Sequence, residues 1–290
     1  MTAISAKDVM TLRARTNAGM MDAKKALQEA DGDMEKAGDL LRQWGRGRAA
    51  VRTSMEMKEG LIGGCISADG QLGVLLRLGC QTDFVARNDA FVKLLNDLVQ
   101  LALANAVPTP AELNRLAWPD GSGRTVEAVI KELAGGTIKE NLAVTGLARF
   151  QTSHGQVGSY VHHNAKVGCL VQVDGAAHAA VRVLISEVAM HITAGVPFVP
   201  LAISREQVEP AVVEKERRLA AEAITGKPPA IVEKIVTGKV EKFFADQVLL
   251  EQPFVKDEKR KISDLLAATS AAVGTKLQIV RFARFKVGEV

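Results

Sequence analysis

The chain has 290 residues, of which 47% are apolar and 24% charged, and its formal net charge is +4. This balance predicts a folded protein with one or two ordinary cores and excludes a compositionally disordered chain. The longest apolar stretch, residues 94–107, is too short and too polar to span a bilayer, so no membrane association is expected. Three cysteines without metal-type spacing, and no signal-peptide core, favour a reducing, cytoplasmic location.

Basic and acidic residues are interleaved along the chain, which argues against a nucleic-acid-binding surface. One basic stretch stands out, formed by Arg46, Arg48, Arg52 and Lys58. It falls where helical periodicity is lost and Gly, Arg and Lys accumulate. We therefore interpret residues 46–58 as a solvated linker, with no direct nucleic-acid partner.

Residues 1–45 read as a compact module of three short helices. Ser5, with an acidic residue three positions on, has the form of a capping box. Gly19 ends the first helix, and residues 20–30 have the apolar spacing of a second. Asp33 is placed to cap the third helix.

The region from residue 59 onward contains an internal repeat. Glycines recur at spacings of three and ten residues, as Gly60, Gly63 and Gly73 and again as Gly155, Gly158 and Gly168. In the first copy, the pattern predicts strands at 61–66 and 72–78 on either side of Asp69-Gly70, followed by a helix at 88–106. In the second copy, it predicts strands at 156–162 and 167–173 on either side of His163-Asn164, followed by a helix at 176–194. We predict an α+β fold with two repeated subdomains, residues 59–145 and 146–290.

The remaining elements are predicted from periodicity and turn residues. They are helices at 111–116, 126–134 and 262–267, strands at 142–150 and 277–287, and a helical hairpin at about 205–245 formed by residues 205–224 and 229–245. Charged helical hairpins of this kind often project from a core.

The two copies differ after their hairpins. The first inserts Gln81–Arg87 before its helix can start at Asn88, whereas the second enters its helix almost at once. The insertion carries Phe84 in a chain with only 4% aromatic residues, which makes this ring a candidate anchor for another molecule. The alternative is that Phe84 folds back under the helix while Asp83 serves as an ordinary cap, and the residues leave both interpretations open.

Motifs for covalent chemistry are missing, so we expect neither an enzyme nor a bound cofactor or metal. The five histidines lack ligand spacing and are interpreted as surface or core residues. Cys80 borders the insertion without a basic neighbour in sequence, which favours a buried, inert thiol.

Two segments carry a specific pattern of residues: 12–27 (LRARTNAGMMDAKKAL) with Gly32-Asp33 after them, and 80–88 (CQTDFVARN). Both segments resemble the elongation factor Ts family. Shorter matches at Gly158-Ser159-Tyr160, Ala189-Met190-His191, 213–216 and 252–255 extend the resemblance over essentially the whole chain. Asn17 stands where the family usually has Gly, and Arg87 replaces a common Lys.

The resemblance implies a guanine nucleotide exchange factor that binds elongation factor Tu and promotes GDP release by disturbing its Mg²⁺ and phosphate site. It also implies that the N-terminal module is ubiquitin-associated-like (UBA-like) and docks on the GTPase. The helical hairpin would be the projecting coiled-coil motif. A homodimer, or a heterotetramer with the partner, is left open.

The same resemblance assigns partner contacts to this sequence. The Mg²⁺-displacing segment would be Thr82, Asp83, Phe84 and Val85, with Phe84 as the wedge. Gly19, Met20 and Met21 would form an adaptable apolar contact in the N-terminal module, although Met20 and Met21 could equally belong to the module's core. His162, in the second hairpin, would be a further contact.

Two other function classes remain open from the residues. One is a non-catalytic binding scaffold that uses the UBA-like module and for which the Asp83-Phe84 pair is incidental. The other is a small enzyme whose His162, His163 and Cys169 converge in a pocket.

Overall fold

The computed structural model of the protein describes residues 4–16, 18–52, 57–224 and 228–289, with the backbone alone for 45–52. The chain divides into two compact units. The first comprises the described residues of Met1–Gly63, Leu76–Ala148 and Phe285–Val290, and the second comprises those of Gly64–Leu75 and Arg149–Arg284. The architecture is mixed α and β, with three N-terminal helices followed by strand and helix units.

The elements follow in chain order. The earlier ones are α1 (Ala6–Thr16), α2 (Met20–Glu29), α3 (Met34–Arg52), β1 (Glu59–Ile66), β2 (Leu72–Cys80), α4 (Asp83–Ala86), α5 (Asp89–Ala104), α6 (Pro110–Arg115), α7 (Val126–Leu133) and β3 (Ala143–Gln151). The later ones are β4 (Gly155–Val161), β5 (Val167–Asp174), α8 (Ala179–Ala194), α9 (Pro210–Glu222), α10 (Pro229–Gln247), β6 (Pro253–Phe254), β7 (Asp257–Lys261), α11 (Ile262–Val273) and β8 (Gln278–Lys286). The strands form sheets of order β1-β2-β3, β4-β5-β8 and β6-β7.

The three N-terminal helices form as their caps predict. Asp8 N–H donates to Ser5 Oγ at 3.1 Å and Ser5 N–H donates back to Asp8 Oδ2 at 3.2 Å, so the capping box is confirmed. Asp33 Oδ1 accepts the N–H groups of Glu35 and Lys36 at the start of α3. Fully buried Leu12 and Leu27 pack together with alanines between the helices.

The predicted linker requires a correction. Helix α3 continues to Arg52, so residues 46–52 are helical, while 53–56 lie outside the described residues. Arg and Ala are good helix formers, and a loss of apolar periodicity does not by itself end a helix.

The first hairpin and its helix follow the prediction closely. Strands β1 and β2 are joined through a turn in which Gly70 has a φ of 73°, a left-handed value that glycine accepts without steric cost. Helix α5 begins after Asn88, whose Oδ1 accepts the Ala90 N–H at 2.9 Å. A Cβ on Gly63 would lie 3.0 Å from Val99 Cγ2, so this glycine allows β1 to approach α5.

The second hairpin differs in its ends. Strands β4 and β5 pair antiparallel from Gly155–Asp174 to Val161–Gly168, and residues 162–166 connect them. The predicted turn at His163-Asn164 is confirmed, because the Ala165 N–H donates to the His162 carbonyl at 2.7 Å and closes a turn around these two residues; Ala165 follows at a φ of 53°. Helix α8 starts at Ala179 rather than 176, because the His178 ring caps it by accepting the Ala180 N–H.

The helical hairpin is shorter at its start than predicted. Residues Arg205–Gln207 form a separate 3₁₀ turn, and α9 begins at Pro210. Proline lacks an N–H and fits the first turn of a helix but not its interior, which is why the helix cannot run through from Arg205. The Arg205 guanidinium ties this start to α10, since it pairs with Glu241 at 2.7 Å and lies 4.5 Å from the Phe244 ring centre.

Several smaller differences concern the predicted elements. Helix α7 is extended by a π-helical turn, Ala134–Ile138, and α11 runs to Val273 instead of residue 267. The pair β6-β7 was not predicted, because β6 has only two residues and the five residues of β7 are all charged and exposed, so neither strand shows an alternation of apolar and polar residues. Residues 225–227 of the predicted inter-helix connection lie outside the described ranges. In the parts of the chain that are described, no helix is long and apolar enough to cross a bilayer.

Candidate functional site

Phe84 is presented to solvent rather than folded under α5. Its relative exposure is 83%, the highest among the large apolar side chains that the structure describes. The next two residues, Val85 and Ala86, are 8% and 2% exposed. The interpretation that Phe84 folds back under the helix is therefore wrong. Val85 and Ala86 are buried instead, and the Phe84 ring projects from the segment that they anchor.

The inserted segment is a short helical turn, not an irregular loop. Thr82 has extended backbone angles and its Oγ1 accepts the Val85 N–H at 3.4 Å, so Thr82, rather than Asp83, caps α4. Asp83 lies in the first turn, where a carboxylate is favoured by the helix dipole. Val85, one of the predicted contact residues, points its side chain into the protein.

Asp83 is also accessible. Its Oδ2 lies 3.2 Å from Nη2 of Arg87, and the two side chains are 47% and 81% exposed. An ion pair this exposed contributes little to stability. The Asp83 carboxylate can thus leave Arg87 and accept hydrogen bonds from another molecule at a small cost in free energy.

Glu140 holds this turn from behind. Its Oε2 accepts the N–H groups of Gln81 at 3.2 Å and Thr82 at 3.0 Å, and its Oε1 accepts the Thr82 hydroxyl at 2.6 Å. The Asn141 N–H donates to Gln81 Oε1 at 3.3 Å. Sequence reasoning missed Glu140, since no local pattern connects it to residues 58 positions earlier.

The residues predicted as N-terminal contacts lie at the start of α2. Gly19 caps that helix with extended backbone angles, and Met20 and Met21 are 48% and 74% exposed. The interpretation of both methionines as module core is therefore wrong, because that core is built from Ala23, Ala26 and Leu27 instead. Met10 on α1, 63% exposed, is a further uncovered methionine that sequence reasoning did not identify.

His162 lies in the second unit at the end of β4. It is half-buried, with Nδ1 3.1 Å from the Tyr160 hydroxyl and its ring centre 4.2 Å from that of His163. The other histidines divide as predicted between surface and core: His154 and His178 are exposed and His191 is 1% exposed.

Two of the three thiols, those of Cys80 and Cys169, are buried. Cys80 is buried, as predicted, and its Sγ lies 3.2 Å from the Thr82 carbonyl oxygen. Cys169 is fully buried in the core of the second unit, and burial raises the pKa of its thiol far above the usual range. A nucleophilic thiolate at Cys169 is thereby disfavoured. Among the described side chains, no cluster of three His, Cys, Asp or Glu has the geometry to hold a metal ion.

Comparison with known proteins gives one consistent family. The chain matches the profile described as Elongation factor TS over residues 81–289. A protein of Chloroherpeton thalassium named Elongation factor Ts is 40% identical over 293 aligned positions, covering 100% of both chains.

Two further proteins with that name agree. One, from Nitratidesulfovibrio vulgaris strain DP4, is 40% identical and covers 99% of this chain and 96% of its own. The other, from Aquifex aeolicus, is 39% identical and covers 99% and 98%. The matched length spans the Asp83-Phe84 turn and its Glu140 support, and the chain belongs to the elongation factor Ts family.

Proposed function

We propose that this protein is a guanine nucleotide exchange factor for elongation factor Tu, acting in translation elongation and in the cytoplasm. Asp83 and Phe84 enter between two helices of the GTPase domain and displace the elements that hold Mg²⁺ and the phosphates. The observation that carries this proposal is the 83% exposure of Phe84 on a turn whose next two residues, Val85 and Ala86, are buried and whose Thr82 is hydrogen-bonded to Glu140.

The chemistry of GTPases explains how a wedge can promote release of the nucleotide. These proteins hold their nucleotide through phosphate-loop amides, a Lys and a bridging Mg²⁺, so small shifts of those groups remove much of the affinity. Burial of one phenylalanine ring contributes roughly 1.5 to 3 kcal/mol, so the wider interface must supply the rest. Because coupling is reciprocal, the factor binds the nucleotide-free partner more tightly by the ratio in which it weakens GDP binding.

The rest of the proposal concerns the other elements. Gly19, Met20 and Met21 form an adaptable docking contact of a UBA-like module, and His162 adds a contact from the second unit. Thr82 and Val85 act within the same segment by holding the wedge in position. The two halves are repeats of one α/β unit, the α9-α10 hairpin projects as the coiled-coil motif, and the protein performs no covalent chemistry.

Release of a fluorescent GDP analogue from elongation factor Tu, followed by stopped flow at constant Mg²⁺, tests the proposal. We expect the wild-type protein to accelerate release strongly. Phe84→Ala should reduce that acceleration by about 10- to 100-fold, the equivalent of the ring's burial energy. Its melting temperature should not change, because the ring makes few contacts within the protein.

Phe198→Ala is the matched control. It removes an equally large ring that is 51% exposed and lies in the second unit. Equal exchange rates for the wild type and Phe84→Ala would refute the wedge, and no acceleration by the wild type would favour the binding-scaffold alternative.

A further inference from the structure

The one-turn helix α4 cannot hold its own shape. It has four residues, and the first turn of any helix fixes several dihedral angles for a single hydrogen bond. The Thr82 cap supplies one bond from within. An exposed Phe84 therefore keeps a defined direction only if the segment is fixed from outside.

Glu140 provides that external support. One carboxylate accepts two consecutive backbone N–H groups and one hydroxyl at the entry to α4. Hydrogen bonds to an ionised group are stronger than neutral ones. Because the Thr82 hydroxyl donates to Glu140, its lone pairs face the Val85 N–H, so Glu140 also orients the cap.

The residue before Glu140 contacts the N-terminal module. Lys139 Nζ lies 3.5 Å from Asp22 Oδ2 on α2, one residue after Met21. The same Nζ would lie 3.5 Å from a Cβ placed on Gly19. The Asp22 side chain is only 16% exposed and the Lys139 side chain is 52% exposed.

The backbone conformation explains how two adjacent residues, Lys139 and Glu140, contact two different elements. The π-helical turn Ala134–Ile138 ends at Lys139 with a φ of 63°, a left-handed conformation that residues other than glycine rarely adopt. The chain thus turns sharply at Lys139, which brings one side chain to α2 and the next to the entry of α4.

We propose that Lys139 and Glu140 are positioning residues for exchange: they form a two-residue junction that holds both partner-facing elements of the first unit, Gly19–Met21 and Asp83–Phe84. Glu140 acts through the direction of Phe84, and Lys139 acts through the placement of the module. This inference rests on the proposed exchange function.

The first test separates the two residues kinetically. GDP release from elongation factor Tu is measured over a range of factor concentrations, giving a saturating rate and a half-saturating concentration. Glu140→Ala should lower the saturating rate by about tenfold, the loss expected for a charge-assisted hydrogen bond. Lys139→Asn, which tolerates the left-handed backbone, should instead raise the half-saturating concentration by roughly two- to fivefold.

A double variant distinguishes positioning from general destabilisation. In the Phe84→Ala background, Glu140→Ala should lower the rate by less than about twofold, since both changes act on the same wedge. Glu127→Gln is the control, because Glu127 is an exposed carboxylate on α7 paired with Lys131. The proposal would be overturned if Glu140→Ala and Lys139→Asn both kept the wild-type saturating rate and half-saturating concentration. It would also be overturned if Glu140→Ala lowered the saturating rate by the full tenfold in the Phe84→Ala background.

Amide hydrogen exchange followed by mass spectrometry tests the junction without the partner. Glu140→Ala should increase exchange in residues 81–88, and Lys139→Asn should increase it in 18–29, whereas Glu127→Gln should change neither. Unchanged exchange in both segments would overturn the junction. A further outcome is that the wild-type protein does not accelerate GDP release from elongation factor Tu, while Glu140→Ala and Lys139→Asn lose protection in these segments as expected. That outcome would refute the exchange function and retain the junction.

Discussion

At the scale of single residues, Phe84 and its support define the candidate site. The ring is exposed because Val85 and Ala86 occupy the buried face of α4 and Glu140 fixes the entry to the turn. A rigidly presented apolar ring loses less conformational freedom on binding than one on a mobile loop. In the proposed function, the exposure of Phe84 and the hydrogen bonds of Glu140 therefore both lower the free-energy cost of binding this ring to the partner.

His191 is the buried titratable residue with the clearest consequence for stability. Its Nδ1 accepts the Val255 N–H at 3.3 Å, so Nε2 carries the proton and donates to Gln252 Oε1 at 2.9 Å. Gln252 in turn donates to the Phe198 carbonyl at 2.9 Å. Burial lowers the pKa of His191, since the charged form would lose its hydration and place two N–H groups against each other.

We predict a pH dependence of stability from this histidine. Its folded pKa lies below the unfolded value of about 6.5, so the unfolded state binds more protons there and the free energy of unfolding falls as pH drops below about 6.5. The slope cannot exceed about 1.4 kcal/mol per pH unit for one proton. Urea denaturation between about pH 7.5 and 5.5 measures it.

His191→Gln should abolish most of that slope, and His154→Gln, at an exposed position of the same unit, is the control. The comparison is of slopes, so any uniform loss of stability in the variant does not affect it. Carboxylates with lowered pKa values do not titrate in this range; hydrogen bonds from Ser122 and Arg124 hold the pKa of Asp120 at about 2. An identical slope in His191→Gln would contradict the assignment.

At the scale of elements, glycines decide how closely helices approach strands. A Cβ on Gly158 in β4 would lie 2.6 Å from Cγ2 of Ile185 in α8. Isoleucine is stiff at χ1, so this atom cannot move away easily. Gly158 thereby allows α8 to pack closely on its sheet.

Gly158→Ala should destabilise the protein by about 1 to 3 kcal/mol through overpacking. Gly238→Ala provides a contrast of opposite sign. Gly238 lies exposed within α10 with open space around its Cα, so alanine there should stabilise by about 0.5 to 1 kcal/mol. Urea midpoints of the two variants provide the measurement, and a Gly158→Ala midpoint at or above the wild-type value would show that the contact relaxes freely.

Prediction of elements from sequence succeeded where local rules act. Ser5, Asp33 and Asn88 each cap a helix as their side-chain chemistry indicates. It failed where one local rule overrode another, as at Pro210, where α9 starts although the apolar spacing predicted a helix from residue 205. It also missed the π-helical turn at Ala134–Ile138, for which no simple periodicity exists.

At the scale of the whole molecule, the N-terminal module is integrated into the first unit. Helix α3 continues to Arg52 and packs against α7 and the π-helical turn, while Lys139 pairs with Asp22. A cut after residue 45 would divide this helix. Removal of the module consequently takes away part of the packing of the unit as well as the proposed partner contact of Met20 and Met21.

A chain starting at Met57 should therefore melt at least about 5 °C below the full-length protein, which corresponds to a loss of about 2 kcal/mol. Met20→Ser with Met21→Ser is the matched comparison: these side chains are exposed, so the melting temperature should stay while binding to elongation factor Tu weakens. Calorimetry of unfolding measures the melting temperatures, and calorimetry of binding measures the affinity for elongation factor Tu. An unchanged melting temperature for the shortened chain would show that the module contributes nothing to the unit.

The sequence by itself determined most of the helices, the two repeated hairpins, the family and the segment that carries Phe84. These depend on spacing, capping and signature residues that neighbours along the chain specify. Only the tertiary structure decided that Phe84 faces solvent and Val85 does not, and that Glu140 lies against Gln81 and Thr82. Burial and hydrogen bonding between residues about 60 positions apart arise from packing, for which no local pattern exists.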